Sequence, residues 1–433
     1  VGESLPQPDA IARDAARHLR HNLRCSVTDG SAYMVMVGLA ETFFPLFILA
    51  LFADVVASGL VLTLPLFLAA VLQLAAPWLV ARAGSYRSIV TVTAWLQAAI
   101  CVPLAIIAFT GFGPLWLVFV LITIYHAGAA IGGPPWLSMM SVLVPAHLRA
   151  RFLARRNRML QAGSVAGVVI GACVLEFMPK ALAAASITLP QHWLDKPALP
   201  AFGLLFSLAA IARAVSAIYL GRHKEPFGAS HAMHAMSPRE MVDRVRTGKG
   251  RSLIAFLCAF QFAAMIGSPF FHAYVREQGQ ATFLEWAGLI VIWMLGRALT
   301  VTWAGEIARN HGHKRLLLIG ALLMVPIPAL WALSTDLVWI AVAQLLAGMA
   351  IACWDLAVWL STLEVFDERE RTSMLAKFGL LNWLSGTLGS WAGGGVLGNL
   401  GNDRAAFAWV FLASTAARAA LAAIIARQTR LKP

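Results

Sequence analysis

The sequence predicts an all-α polytopic membrane protein with twelve transmembrane helices in two pseudo-symmetric six-helix bundles. Three observations carry that reading. The 433-residue chain is 59% hydrophobic and only 13% charged, with a mean hydropathy of +0.73, whereas soluble proteins carry about 25% charged residues. Its apolar residues fall into runs long enough to cross about 30 Å of hydrocarbon, which takes roughly 20 residues of helix. An arginine-rich junction between two apolar runs occurs twice, as GPPWLSMMSVLVPAHLRARFLARRNRMLQ from Gly133 and WDLAVWLSTLEVFDERERTSMLAKFG from Trp354, in matching places of two halves. A large soluble protein is excluded, because nearly every long helix would need burial on all sides.

Spans are expected at 30–52, 56–80, 89–110, 114–144, 158–178, 200–220, 252–275, 281–305, 316–334, 337–362, 374–397 and 404–425. Residues 1–29 read as a cytoplasmic tail with a short surface-lying helix (DAIARDAARHLRHNLR), and no cleavable signal peptide is expected before the first span. The first bundle is expected over 30–220, a cytoplasmic linker over 221–251, the second bundle over 252–425 and a tail over 426–433.

In chain order, span one carries Glu41 near its middle and Pro45 one turn later. Span four carries Tyr125 and His126, then GAAIGGPPW, where Pro134 and Pro135 predict a kink. Gly163, Gly167 and Gly171 put a small-residue stripe on one face of span five, suited to close helix packing. The connection 179–199 has room for a short helix before Pro200 opens span six, which contains Arg213. The linker holds SPREMVDRVR, a capping-box start with Ser237 and Glu240. Span seven carries Gln261 and His272, span eight Trp293 and Arg297, and span ten Trp354 and Asp355, with Glu364 past its end. Span eleven is rich in glycine, and Arg418 in span twelve is expected to snorkel towards lipid phosphates.

The net charge of +13 follows from topology rather than nucleic-acid binding. With the N-terminus inside, 27 of the 34 Lys and Arg residues fall on cytoplasmic segments, so both termini are expected in the cytoplasm of an inner-membrane protein. Anionic lipid heads are the expected partners of that basic surface. Four of the five cysteines (Cys101, Cys173, Cys258, Cys353) lie within spans and no CxxC occurs, so neither a disulfide framework nor a metal site is expected. There is no glycine-rich phosphate loop, HExxH or GxSxG, hence no cofactor and no enzymatic reaction is expected.

Charged side chains inside hydrocarbon cost about 2.5–3.5 kcal/mol even on lenient scales and usually face a cavity or a partner. Glu41 is the clearest case, as a proton-coupling or substrate-binding carboxylate or as a structural hydrogen-bonding group. Arg297 needs a carboxylate, a substrate anion or a wet cavity, and Glu41 is one candidate partner. Asp355 divides between cavity lining and an inner gate. His126, Trp136, Arg213, Gln261, His272, Trp293 and Trp354 are candidate cavity-lining residues, each with a structural alternative.

Twelve spans with a central linker and a repeated half resemble the major facilitator superfamily over roughly residues 20–430. Its hallmark glycine-and-basic turn corresponds to LVARAGSYRS, where Arg82, Gly84 and Arg87 fit and Ala81 replaces the usual aspartate. AGEIARNHGHKR in the second half supplies Gly305, Arg309, Gly312, Lys314 and Arg315. VPAHLRARFLARRN is similar to the fourth-to-fifth connection of a bacterial subgroup. The resemblance implies a cytoplasmic gate at these turns, with Glu364, Arg369 and Arg371 sharing the role. It also implies a monomeric secondary transporter of a small solute of unknown class, working by alternating access with the substrate near the midplane between spans one, four, seven and ten. Proton coupling would run through Glu41. A non-transporting receptor or assembly protein, or a lipid transporter, is the alternative.

Overall fold

Lipid offers a backbone no water to bond to, so a chain this apolar satisfies its N–H and C=O groups inside helices. The computed structural model describes residues 8–144, 146–185, 190–223, 251–365 and 371–430, and no strand occurs among them. Eleven helices among the described residues are long and apolar enough to cross a membrane. A further helix, Arg371–Leu400, stands at the position expected for span eleven, its glycine-rich composition lowering its hydropathy. The protein is therefore a multi-pass, all-helical membrane protein. Residues 224–250 of the linker, with its capping box, and Arg369 lie outside the described residues.

Several boundaries differ from expectation. A single helix, Pro8–Leu39, replaces the separate surface helix and the start of span one. The turn after span eight is shorter than the sequence indicates: helix Phe283–His311 runs through Gly305, leaving Gly312 as the joint to helix His313–Met324. The connection before span six does form a short helix, Gln191–Asp195. It is pinned by His192 and Trp193, whose ring nitrogens lie 2.9 and 2.7 Å from the Phe109 carbonyl oxygen.

Spans one and seven, equivalent in the two halves, both break. Span one stops at Leu39, makes a 3₁₀ turn over Glu41–Phe43 and resumes as Phe44–Phe52. Span seven stops at Gly267, turns over Ser268–Phe270 and resumes as Phe271–Glu277. Pro45 and Pro269 lie at these breaks. A proline lacks the N–H that would continue the helical ladder and crowds the carbonyl four residues back.

The chain forms two units, which share the span-one and span-five helices between them. The first comprises residues 1–43, 71–174 and 185–235. In it, span three (Tyr86–Thr110) packs between span six (Leu199–Gly221) and span four (Leu115–Leu143). The glycine stripe of span five (Ala146–Ala184) is a packing surface against span one. A Cβ at Gly163 would lie 2.8 Å from the Ser31 carbonyl oxygen, and one at Gly167 would lie 2.5 Å from that of Val35.

The second unit comprises residues 44–70, 175–184 and 236–433. Span eight packs on span ten (Leu337–Val365) through two reciprocal glycines, Gly296 against the Leu345 carbonyl and Gly348 against that of Trp293. Span eight begins with a capping box made by Thr282 and Glu285, and Glu176 accepts a hydrogen bond from the Phe283 N–H at 3.2 Å. A core of Leu257, Phe260, Leu316, Leu317, Cys353 and Ala357 fills the unit.

If these glycines set the helix separations, Gly167→Val should cost about 1–3 kcal/mol by overpacking. Gly395→Ala, whose added Cβ meets nothing within 4 Å, should leave stability unchanged or raise it slightly. Thermal unfolding of the two variants in one detergent checks the contrast.

Candidate functional site

The polar interior of the first unit is built on one face of span one. Asn22, Ser26, Asp29 and Tyr33 recur at helical spacing, and Asn22, Ser26 and Asp29 are buried. Arg213 of span six reaches this face. Its Nε and Nη2 donate to Gln97 Oε1 of span three at 3.0 and 2.6 Å. Its Nη1 donates to Ser216 Oγ at 2.6 Å, and Ser216 donates to Asp29 Oδ1 at 2.7 Å. The guanidinium lies over the Tyr33 ring at 4.7 Å. Gln97 Nε2 in turn donates to the Tyr125 carbonyl at 3.0 Å. Asp29 has a second cation, Arg156 Nη2, at 3.8 Å.

Glu41 stands at the break of span one, half-buried. Tyr125 donates its hydroxyl to Glu41 Oε2 at 3.3 Å. His126 is buried next to it, its ring edge-on to that of Tyr125 at 5.2 Å. Trp136 packs its ring under the Arg156 guanidinium at 4.4 Å, bracing that arginine.

In the second unit, the carboxylate that answers Arg297 is Asp355, at 2.9 Å between spans eight and ten, with Trp293 under the guanidinium at 5.0 Å. Both side chains of this pair are about half exposed. Trp354, its chain neighbour, is a core residue rather than a cavity wall: it is buried and stacks on Phe260 at 4.2 Å. His272, half-buried, accepts from Trp286 Nε1 at 3.1 Å. Gln261 packs beside Gly386 of span eleven.

Arg418 does not snorkel. It is 2% exposed and donates inward to three acceptors. Nη2 reaches the Ala264 carbonyl at 3.0 Å and Ser268 Oγ at 2.9 Å, at the break of span seven. Nη1 reaches the Met324 carbonyl at 2.8 Å, where the first helix of span nine ends. Helix C-termini carry partial negative charge and exposed carbonyls, so two of them make a fitting seat for a buried cation.

Arg213 and Arg418 are repeat equivalents. Each is the fifteenth residue of its helix, Leu199–Gly221 or Arg404–Arg430. Phe202 and Phe206 correspond to Phe407 and Phe411, with ring separations of 6.4 and 6.2 Å. Both arginines tie their own span to equivalent neighbours, spans one and three or spans seven and nine. Reading spans six and twelve in register would have found the pair: AF, F, ARA and R recur at identical offsets.

The expected gate residues divide. Gly84 (φ +65°) caps helix Ala76–Ala83, and Gly312 (φ +81°, ψ 159°) joins spans eight and nine. These two turns need a residue without a Cβ. Arg82 lies over Trp78 at 5.8 Å, and Arg87 donates to the His223 carbonyl at 3.1 Å. Burial holds the His223 imidazole below its usual pKa. Arg309 Nε donates to Asn310 Oδ1 at 3.4 Å, and Arg315 is exposed. Glu364 pairs with His313 at 2.8 Å. Arg371 opens the span-eleven helix, and its side chain lies outside the described residues.

No protein-family model matches the chain, and no curated protein matches it. Solved transporter structures do. A variant of the nucleoside transporter NupG superposes with a TM-score of 0.70 at 12% identity, covering 94% of this chain and 99% of that one. A bacterial homolog of the human lysosomal transporter Spinster, inward-facing and occupied, gives 0.65 at 15% identity over 99% and 98%. The xylose transporter XylE from E. coli, partially occluded and inward open, gives 0.65 at 15% over 95% and 98%. The chain has their fold. That fold is the major facilitator fold which the span count, the repeated half and the glycine turns resemble.

Replacing Arg418 by Met should free the carbonyls at the breaks of spans seven and nine. Hydrogen exchange at residues 264–270 and 322–328 should then quicken roughly tenfold, the worth of about one lost hydrogen bond, with Arg418→Lys intermediate. Unchanged exchange in Arg418→Met would show that the breaks hold themselves.

Proposed function

We propose that this protein is a secondary active transporter that moves a small solute across a bacterial-type inner membrane by alternating access, coupled to protons through Glu41. Full-length likeness in fold to nucleoside, xylose and other transporters supports transport rather than enzymatic catalysis. The observation that carries the coupling is the setting of Glu41. It is a half-buried carboxylate at a break in a spanning helix, hydrogen-bonded by a single neutral phenol. A carboxylate so placed can meet water when the helices around the break move.

Asp29 is a poorer candidate, being fully buried and held by Ser216 and Arg156. The Arg297–Asp355 pair offers the second unit's polar group for solute contact, with Trp293 as its aromatic face. In this reading both termini are cytoplasmic, the arginine-rich turns face anionic lipid, and the working unit is a monomer.

Liposomes loaded with a pH dye test the proposal against a panel of uridine, xylose, dialanine and choline. At least one solute should change internal pH with the wild-type protein, and Glu41→Gln should lose at least nine-tenths of that signal. Solute-driven pH changes of equal size in Glu41→Gln would remove Glu41 from the coupling.

A further inference from the structure

Each of four carboxylates in or beside the spanning helices has a basic partner within 4.0 Å: Asp29 with Arg156, Glu176 with Lys180, Asp355 with Arg297 and Glu364 with His313. Glu41 has none. Among the described residues, no Lys, Arg or His nitrogen comes within that distance of its oxygens. Arg213, the buried arginine of span six, is already taken up by Gln97, Ser216 and the Tyr33 ring.

The groups around Glu41 are rings. Tyr125 and His126 approach from span four, and Tyr33 stands about two turns earlier in span one, on the helix Pro8–Leu39 that ends just before Glu41. These are the titratable groups that sense its charge, with Arg213 of span six beyond Tyr33. Aromatic faces attract diffuse cations; that of Tyr33 holds Arg213, while the Tyr125 ring stands beside the Glu41 carboxylate, which supplies the matching negative charge. A metal ion would need several oxygen or nitrogen ligands, and no cluster of three His, Cys, Asp or Glu side chains exists among the described residues.

We infer that Glu41 is the seat of an organic cation, and that the transported solute carries an ammonium or comparable delocalised positive charge. This rests on the transporter reading and adds the solute's chemical class. The proton and the solute then compete for one carboxylate: protonated Glu41 releases the cation, and bound cation keeps Glu41 ionised. Coupling follows from that exclusion without a second titrating site.

The test uses one aromatic ring in three charge states: benzyltrimethylammonium, benzyl alcohol and benzoate, each titrated against the purified full-length protein while its melting temperature is followed. Benzyltrimethylammonium cannot titrate, so any pH effect comes from the protein. It alone should raise the melting temperature, with an apparent affinity that weakens as the pH falls. Glu41→Gln, which keeps an acceptor for Tyr125, should melt like wild type without ligand and lose the shift. Tyr125→Phe should retain the shift, weakened only a few-fold, and so guards against a folding artefact in the first variant. Three results would overturn the inference: no shift from benzyltrimethylammonium at any pH, an equal shift from benzyl alcohol or benzoate, or a full shift in Glu41→Gln. Cation binding at Glu41 without uptake into liposomes would instead sink the transporter reading and leave the cation site standing.

Discussion

A guanidinium buried away from water needs acceptors for its N–H donors, and in this protein each of two buried arginines draws them from neighbouring helices, with Nε of Arg418 left without one among the described residues. Arg213 draws spans one, three and six into fixed register through Gln97, Ser216, Asp29 and Tyr33. Arg418 does the same for spans seven, nine and twelve through Ser268 and the carbonyls of Ala264 and Met324. Isolated, either charge would be too costly to bury. The packing of each unit therefore depends on a small set of short polar contacts more than on its apolar surface, which lipid would solvate equally well.

The two devices differ in a way that bears on function. Arg418 rests on backbone carbonyls and a serine, groups that do not titrate in the physiological range. Arg213 reaches a carboxylate through Ser216 and shares the Tyr33 ring with the region of Glu41. The first unit thus concentrates the ionisable chemistry, and the second holds a broken helix in place with a permanent charge. Duplication of one framework with divergence of its acceptors accounts for the match in register and the mismatch in partners.

Much of this was legible in the chain. Apolar run lengths located eleven of the spans, because twenty residues without charge have few other uses, and a helix stands at the position of the glycine-rich eleventh. Gly84 and Gly312 were visible as turn glycines, and the stripe through Gly163 and Gly171 as a packing face. Glu41, Arg297 and Asp355 stood out simply by being charged among apolar neighbours. Their pairing did not, since Arg297 and Asp355 meet across two helices 58 residues apart. Asp29 was hidden by Arg20 and Arg24, which made the start of span one look like a tail, although its spacing from Ser26 and Tyr33 marks the polar face. Arg418 was misread because alanines surround it in sequence. Small neighbours resemble a lipid-facing stretch, yet here they let a long side chain fold inward between helices.

The central claim is that Glu41 is the membrane-interior carboxylate whose charge is left for a mobile partner. Infrared difference spectroscopy of the protein in lipid, recorded across a pH titration, observes protonated carboxyl groups directly and needs no solute. The account predicts a carboxylic-acid band that grows as pH falls and is missing from Glu41→Gln but present in Asp355→Asn. A titrating band that survives in Glu41→Gln, or the lack of any such band in the wild type, would contradict it.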